Sequence, residues 1–156
     1  MIGVWRLYGR SKVIISHRGN MGGNNPETEN SPEQIDKALA AGYDVEIDVW
    51  FVSGELYLGH NGPDYLVNFD FFNKRKNHLW IHCKNIEAFL YFYQYPFVFN
   101  YFWHENDKVT FTSLRYIWAF PGNQPIRNSI AVMPEWHNDD VSQALGVCTD
   151  YPERYK

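Results

Sequence analysis

Two acidic residues separated by a single position are the feature of this sequence with the clearest chemical use. Glu46 and Asp48 lie in the segment Asp-Val-Glu-Ile-Asp-Val, where apolar residues alternate with the acids. Alternate side chains of a β-strand share a face, so in a strand the two carboxylates point the same way. Buried together, they repel each other unless a cation lies between them. The pair predicts a metal site if the strand is buried, or solvated acids if it lies at an exposed edge.

Two histidines and an arginine supply further chemistry. His17 and Arg18 directly follow the apolar run Val-Ile-Ile-Ser, and His60 follows another short strand-like segment. An arginine binds a phosphate through paired hydrogen bonds, and a histidine titrates near neutral pH. Taken singly, the first two would equally suit a capped strand end and the third a polar surface loop. Together they match the needs of phosphodiester cleavage, which are a base, an acid and positive charge.

Helices that would position these residues are predicted from capping patterns. Ser31 is followed by proline and glutamate, which predicts a helix from its N-cap to about position 41, where Gly42 ends it. A second helix is predicted over 85–93 and a further one after Asp64. The loops between these helices and the preceding strands would carry the polar residues.

Short apolar runs predict about eight core strands. Their ranges are 13–16, 43–51, 79–83, 97–101, 109–112, 116–119, 129–133 and 146–149, with a hairpin arm at 55–58. An eightfold β/α barrel typically needs ~250 residues, and several of the later gaps are too short for a crossover helix. We therefore predict an α/β fold, a compressed (β/α)8 TIM-type barrel in which loops replace several later helices. Some late strand pairs would then be antiparallel hairpins.

Composition narrows the class of protein. The chain has 156 residues, which fits a single domain over 1–156, and its formal charge of -4 argues against a nucleic-acid partner. The aromatic run at 89–103 is too short and too interrupted to predict a transmembrane segment. The segment 1–10 lacks the features of a secretion signal, which predicts a cytoplasmic protein. Cys83 and Cys148 are expected to be free buried thiols.

The order of the polar motifs resembles that of the glycerophosphodiester phosphodiesterase family, one of the phospholipase C-like barrels. The motifs that carry the resemblance are His-Arg-Gly at 17–19, Glu-Asn-Ser at 29–31, Glu-x-Asp at 46–48, a histidine at 60 and Thr-Asp-Tyr-Pro at 149–152. The match is dense in the first half of the chain and faint in the middle. The ordered set is far more specific than any one of its parts.

The resemblance implies a metal-dependent phosphoric diester hydrolase with a (β/α)8 barrel. Glu46 and Asp48 would bind a divalent metal ion (Mg²⁺, Ca²⁺ or Mn²⁺), and His17 and His60 would be the acid and base. The substrate would be a small glycerol- or polyol-linked phosphodiester. Two alternatives stay open, a lyase that stops at a cyclic phosphate and a phosphate-ester binding protein that has lost turnover.

Further residues are expected to contact the substrate. By the resemblance, Arg18 and Lys84 would contact the phosphate, and Glu29 would orient Arg18 or join the inner polar shell. His104 and Trp118 are candidates because loops and aromatic side chains at the mouth of a barrel build active sites. Trp118 could equally be a core residue.

One departure from the family pattern concerns the metal. The family has Glu-x-Lys where this chain has His-Cys-Lys, so His82 replaces the third carboxylate. As a ligand, His82 would give an O,O,N site that accepts Mn²⁺ or Zn²⁺ more readily than an all-oxygen site does. Alternatively, it only forms hydrogen bonds inside the barrel. A second departure, Asn61 in place of the family's aspartate, removes a charge beside His60.

Overall fold

A computed structural model describes residues 11–156 of the chain. The segment 1–10, from which we predicted that no targeting signal is present, lies outside them. Ten strands are described, β1 Val13–His17, β2 Asp44–Val52, β3 Glu55–Leu58, β4 Tyr65–Val67, β5 Leu79–Cys83, β6 Tyr101–Phe102, β7 Val109–Phe111, β8 Ile117–Ala119, β9 Ser129–Val132 and β10 Gly146–Thr149. The helices are α1 Pro32–Ala40, α2 Phe69–Arg75 and α3 Ile86–Tyr93, with short 3-10 helices at Pro134–Trp136 and Pro152–Tyr155.

The strands form one mixed sheet that curls into a half-barrel. Parallel pairing joins β6, β5, β2, β1, β10, β9 and β8 in that order. Three further pairs are antiparallel: β3 pairs with the carboxyl end of β2, β4 pairs with β3, and β7 pairs with β8. Because the central strands are parallel, their carboxyl ends lie along one edge of the half-barrel. Residues at those ends can therefore meet.

The predicted (β/α)8 TIM-type barrel is wrong, because the described part of the chain has only three α-helices and a mixed sheet. Helices connect β1 to β2, β4 to β5 and β5 to β6, but within the described residues no α-helix follows β6, and loops and 3-10 helices replace the later crossovers. The antiparallel hairpin expected among the late strands is present as β7–β8. The strand predicted over 97–101 is also largely wrong: Phe97 has a φ of 64°, which breaks an extended segment, and only Tyr101 of that range enters β6.

Two of the predicted helices begin at capping side chains. The Ser31 hydroxyl accepts a hydrogen bond from the Gln34 amide at 3.2 Å and proline follows it. Asn85 caps α3 in the same way and also binds both backbone groups of Phe51. Asn85 therefore ties the start of α3 to β2.

The two faces of β2 have different environments. Val45, Ile47 and Val49 pack against the helices in the larger core cluster. The alternate residues Glu46 and Asp48 point to the other face, which becomes the inside of the half-barrel, and both are buried. Of the two possibilities for the acidic pair, a metal site in a buried strand or solvated acids at an exposed edge, the structure agrees with the buried strand.

A second cluster fills the inside of the half-barrel below the acidic residues. Trp118 packs there against both Trp80 and Phe102, with ring centroids 5.8 Å and 4.6 Å apart. Cys83 and Cys148 are free and buried, as predicted, and burial raises the pKa of both thiols. Over residues 11–156, no helix has the length and apolar character needed to cross a bilayer.

Candidate functional site

Neighbouring parallel strands bring the predicted site residues together. In the register of the sheet, His17 of β1 lies beside Glu46 of β2, and Asp48 of β2 lies beside His82 of β5. His17 ends β1 and His82 is the penultimate residue of β5, while Glu46 and Asp48 lie in the part of β2 that pairs with them, before its antiparallel extension. The site therefore depends on the pairing of β1, β2 and β5, and not on a complete barrel.

Asp48 is the centre of the polar network. Its side chain is 1% exposed, and its Oδ2 accepts a hydrogen bond from Asn30 Nδ2 at 2.9 Å. The same oxygen lies 3.2 Å from Arg18 Nε and 3.3 Å from His60 Nδ1. Lys84 Nζ lies 3.7 Å from Oδ1. A single carboxylate thus holds three potential cations around it.

The two buried carboxylates have opposite pKa shifts. Burial tends to raise the pKa of Asp48, but contacts with His60, His82 and Arg18 outweigh it and hold that pKa well below its usual value. Burial and the charge of Asp48 raise the pKa of Glu46. Ionisation of Glu46 therefore costs free energy, and a cation beside its carboxylate would reduce that cost.

The donor atoms of Glu46, Asp48 and His82 fit a divalent cation. One ligand atom from each residue lies within 4.8 Å of the others. Glu46 Oε2 and Asp48 Oδ1 are buried and have no hydrogen-bond partner in the described part of the chain. Buried polar atoms nearly always have a hydrogen-bond partner, so these two oxygens are candidate ligands for a metal ion.

His17 is oriented by a residue that the predicted site omitted. Its Nδ1 lies 2.9 Å from Asp150 Oδ1, which leaves Nε2 facing Glu46 Oε2 at 3.8 Å. Burial tends to lower the pKa of His17, but the hydrogen bond to Asp150 and the charge of Glu46 outweigh it, so the pKa is raised. Asn20 donates to the same Asp150 oxygen at 2.9 Å. The Thr-Asp-Tyr-Pro motif at 149–152 was the available signal for Asp150.

Asp150→Asn should lower the pKa of His17, because the variant loses the acceptor charge that stabilises the imidazolium. In the native protein the raised pKa means that this contribution to stability is fully present below about 6.5, the ordinary histidine value, and is lost as pH rises through the raised pKa. The measurement is an NMR titration of His17. Asp44→Asn, at the opposite end of the sheet, is the matched control, and an unchanged pKa in Asp150→Asn would contradict the assignment.

The contact with Arg18 determines which ring nitrogen of a neutral His60 carries the proton. Arg18 Nη2 lies 3.3 Å from His60 Nε2, and a guanidinium can only donate, so Nε2 of His60 accepts. The proton of a neutral His60 is then on Nδ1, facing Asp48. Arg18 Nη1 donates to Glu29 Oε1 at 3.1 Å, as the predicted orienting role of Glu29 requires.

Backbone constraints hold these side chains in place. Arg18 and Asn30 both have a left-handed conformation, with φ of 57° and 61°, and the Asn30 amide donates to the Arg18 carbonyl at 2.9 Å. Such strain in non-glycine residues clusters at functional sites. Gly59, before His60, has a φ of 151°, and a Cβ there would collide with the Gly62 carbonyl oxygen.

Two residues that were predicted to contact the substrate, Trp118 and His104, have their side chains against other parts of the protein. Trp118 is 4% exposed and belongs to the inner aromatic cluster, which is the core alternative left open for it. The His104 side chain bonds to the Asp107 carbonyl at 2.7 Å, while the His104 carbonyl accepts a hydrogen bond from His82. Asn30, by contrast, lies in the predicted Glu-Asn-Ser motif but was not predicted to contact the carboxylate.

No family model, curated protein or solved structure matches the chain. The likeness to glycerophosphodiester phosphodiesterases therefore stays a prediction. Any function must be argued from the geometry of the site.

Proposed function

We propose that this protein is a metal-dependent phosphodiesterase that cleaves a glycerol- or polyol-linked phosphodiester by histidine acid–base catalysis. The observation that carries the proposal is the convergence of two histidines and an arginine on a pair of buried carboxylates. His17, Arg18 and His60 each have a nitrogen within 4 Å of Glu46 or Asp48. This set supplies an acid, a base and cationic charge within one small space.

His60 is suited to act as the base. Its Nε2 has a lone pair, because it accepts a hydrogen bond from Arg18, and its Nδ1 is oriented by Asp48. A bound phosphodiester would draw Arg18 into paired hydrogen bonds with the phosphate. His60 Nε2 would then be free to take the proton of a substrate hydroxyl that attacks phosphorus.

His17 is suited to act as the acid. Its raised pKa keeps the ring protonated to higher pH, and Asp150 leaves Nε2 to face the site. His17 would donate that proton to the leaving alcohol oxygen when the P–O bond breaks, giving a cyclic phosphodiester. The two histidines would exchange roles when water opens the ring.

Glu46, Asp48 and His82 would hold the divalent ion, whose positive charge stabilises the transition state at the phosphate oxygens. The support for this placement is the unpartnered oxygens of the two carboxylates. Lys84 adds positive charge at the same place. Burial of the carboxylates keeps water from screening these charges.

The test is a screen of glycerol and polyol phosphodiesters with the protein, with and without chelator. We expect release of a phosphomonoester, loss of that release in excess chelator, and recovery on addition of Mn²⁺ or Mg²⁺. Phosphorus NMR separates the products. Circular dichroism in excess chelator distinguishes loss of the ion from unfolding.

Three outcomes would overturn parts of the proposal. Full activity in excess chelator would exclude the metal requirement. Accumulation of a cyclic phosphate as the end product would make the protein a lyase. Binding of phosphodiesters with no turnover under any metal would leave a binding protein.

A further inference from the structure

His82 has a polar partner on each side of its ring. Its Nε2 lies 2.9 Å from the His104 carbonyl oxygen. A carbonyl oxygen only accepts, so Nε2 carries a hydrogen and donates it. In the neutral ring the other nitrogen, Nδ1, then has its lone pair free.

The free lone pair of His82 points toward the two carboxylates. Nδ1 lies 3.2 Å from Asp48 Oδ1 and 3.8 Å from Glu46 Oε1. The side chains of Asp48 and Glu46 are 1% and 3% exposed, and Asp48 Oδ1 and Glu46 Oε2 have no hydrogen-bond partner within residues 11–156. A lone pair that faces carboxylate oxygens is repelled unless a proton or a metal ion lies between them, and the contact between Nδ1 and Asp48 Oδ1 does not have the geometry of a hydrogen bond. This arrangement points to a metal ligand more than to a structural hydrogen bond.

The His82 ring is held in this orientation from outside the site. It stacks on Phe102, with ring centroids 5.1 Å apart and planes 10° apart. The His104 segment is itself fixed, because the His104 side chain bonds to the Asp107 carbonyl and the Thr110 hydroxyl donates to the Trp103 carbonyl. A backbone carbonyl that fixes the far nitrogen of a histidine is the usual support of a metal-binding imidazole.

We propose that His82 binds the divalent ion through Nδ1, positioned by the His104 carbonyl, and that the resulting O,O,N site selects Mn²⁺ or Zn²⁺ over Mg²⁺ or Ca²⁺. Imidazole nitrogen suits transition metals, whereas Mg²⁺ and Ca²⁺ prefer oxygen. The inference deepens the proposed function and rests on its metal site. Its tests measure metal binding without substrate. A negative result in them can therefore be distinguished from a negative result in the phosphodiesterase assay.

The first test asks whether a nitrogen binds the ion. Pulsed electron paramagnetic resonance of the full-length protein loaded with Mn²⁺ should show nitrogen coupling from one imidazole. His82→Phe should abolish that coupling while keeping the stack on Phe102. His78→Phe, at the amino end of the same strand and exposed, should leave it unchanged.

The second test measures selectivity by calorimetric titration with Zn²⁺, Mn²⁺, Mg²⁺ and Ca²⁺. Affinity rises along the first-row metals at most N/O sites, so the informative quantity is the change between variants. His82→Phe should lower the Zn²⁺ affinity by at least about 10–100-fold, the loss typical of disturbing a histidine ligand's supporting contacts. His82→Glu should reduce the ratio of Zn²⁺ to Mg²⁺ affinity relative to the native protein.

The proposal is overturned if bound Mn²⁺ shows no nitrogen coupling in the native protein. It is also overturned if His82→Phe and His82→Glu fold, by circular dichroism, and keep the native metal affinities and ratio. If one variant fails to fold, the other and the native spectrum still decide. Failure to bind any of the four ions would overturn the site itself.

Discussion

Alanine at His17 or at His60 is expected to lower kcat by about 10²–10⁴-fold each, the usual contribution of a positioned acid or base. Each side chain faces one carboxylate of the Glu46–Asp48 pair through one ring nitrogen. The pairing of the strands uses backbone groups and does not depend on either side chain. The loss should therefore appear in turnover and not in the fold. His78→Ala, which removes an exposed histidine at the opposite end of the sheet, is the control and should retain native kcat.

The leaving group separates the roles of the two histidines. A phosphodiester with a weakly basic leaving group, such as p-nitrophenolate, needs little protonation by an acid. His17→Ala should therefore recover much of its lost rate with that substrate, because His17 is the proposed donor. His60→Ala should not recover, because the proposed base is still missing. Equal recovery in both variants would contradict the assignment.

Local patterns in the sequence predicted the parts of the fold that local physics determines. The alternation in β2 predicted apolar residues on the face toward the helices and Glu46 and Asp48 together on the other face, as found, but left open whether that other face is buried. Ser31 and Asn85 marked helix starts through hydrogen bonds that span only three residues. Such features need no knowledge of distant contacts.

Architecture was less predictable because it depends on how strands connect. Counting strands suggested a barrel, but β3, β4 and β7 pair antiparallel, and within residues 11–156 no α-helix follows β6, where a barrel needs crossover helices. The aromatic run around Phe97 looked like a strand because aromatic residues favour sheets. The left-handed backbone at Phe97 overrides that preference locally.

The site was predictable where its residues lie on strands and unpredictable where contacts cross the sheet. His17 and Glu46 are neighbours once β1 and β2 pair. Asp150, the residue after β10, contacts His17 although it is 133 residues away in sequence, and no local pattern assigns that hydrogen bond. The Arg18–His60 contact likewise depends on the turn at Gly59.

Asp48→Asn is expected to have the widest consequences of any single substitution at the site. The variant loses the charge that Arg18, His60 and Lys84 share, and it loses a proposed metal ligand. We expect metal affinity to fall by at least about 10–100-fold and turnover to fall with it. The hydrogen bond from the residue 48 amide to Asn30 uses the backbone and should hold β2 in place.

Stability should fall as well, because removing one partner of a buried ion pair leaves the other charge uncompensated. Such losses run to about 3–5 kcal/mol, and the lower end is expected since Arg18 keeps Glu29 as a partner. The pKa of Asp48 is depressed, so its stabilising charge is present above the ordinary value of about 3.9 and is lost as pH falls through the native pKa. The difference between native and variant should therefore be largest near neutral pH and shrink in acid.

Asp44→Asn provides the matched comparison, since Asp44 lies on the same face of β2 at its amino end and contacts His78 and Trp80. That variant should keep native metal affinity and turnover. Urea unfolding at several pH values, with calorimetric titration of Mn²⁺, measures both effects. If Asp48→Asn matched Asp44→Asn in metal affinity and turnover, the acidic pair would be a structural feature of β2. The catalytic proposal would then lose the carboxylate on which Arg18 and His60 converge.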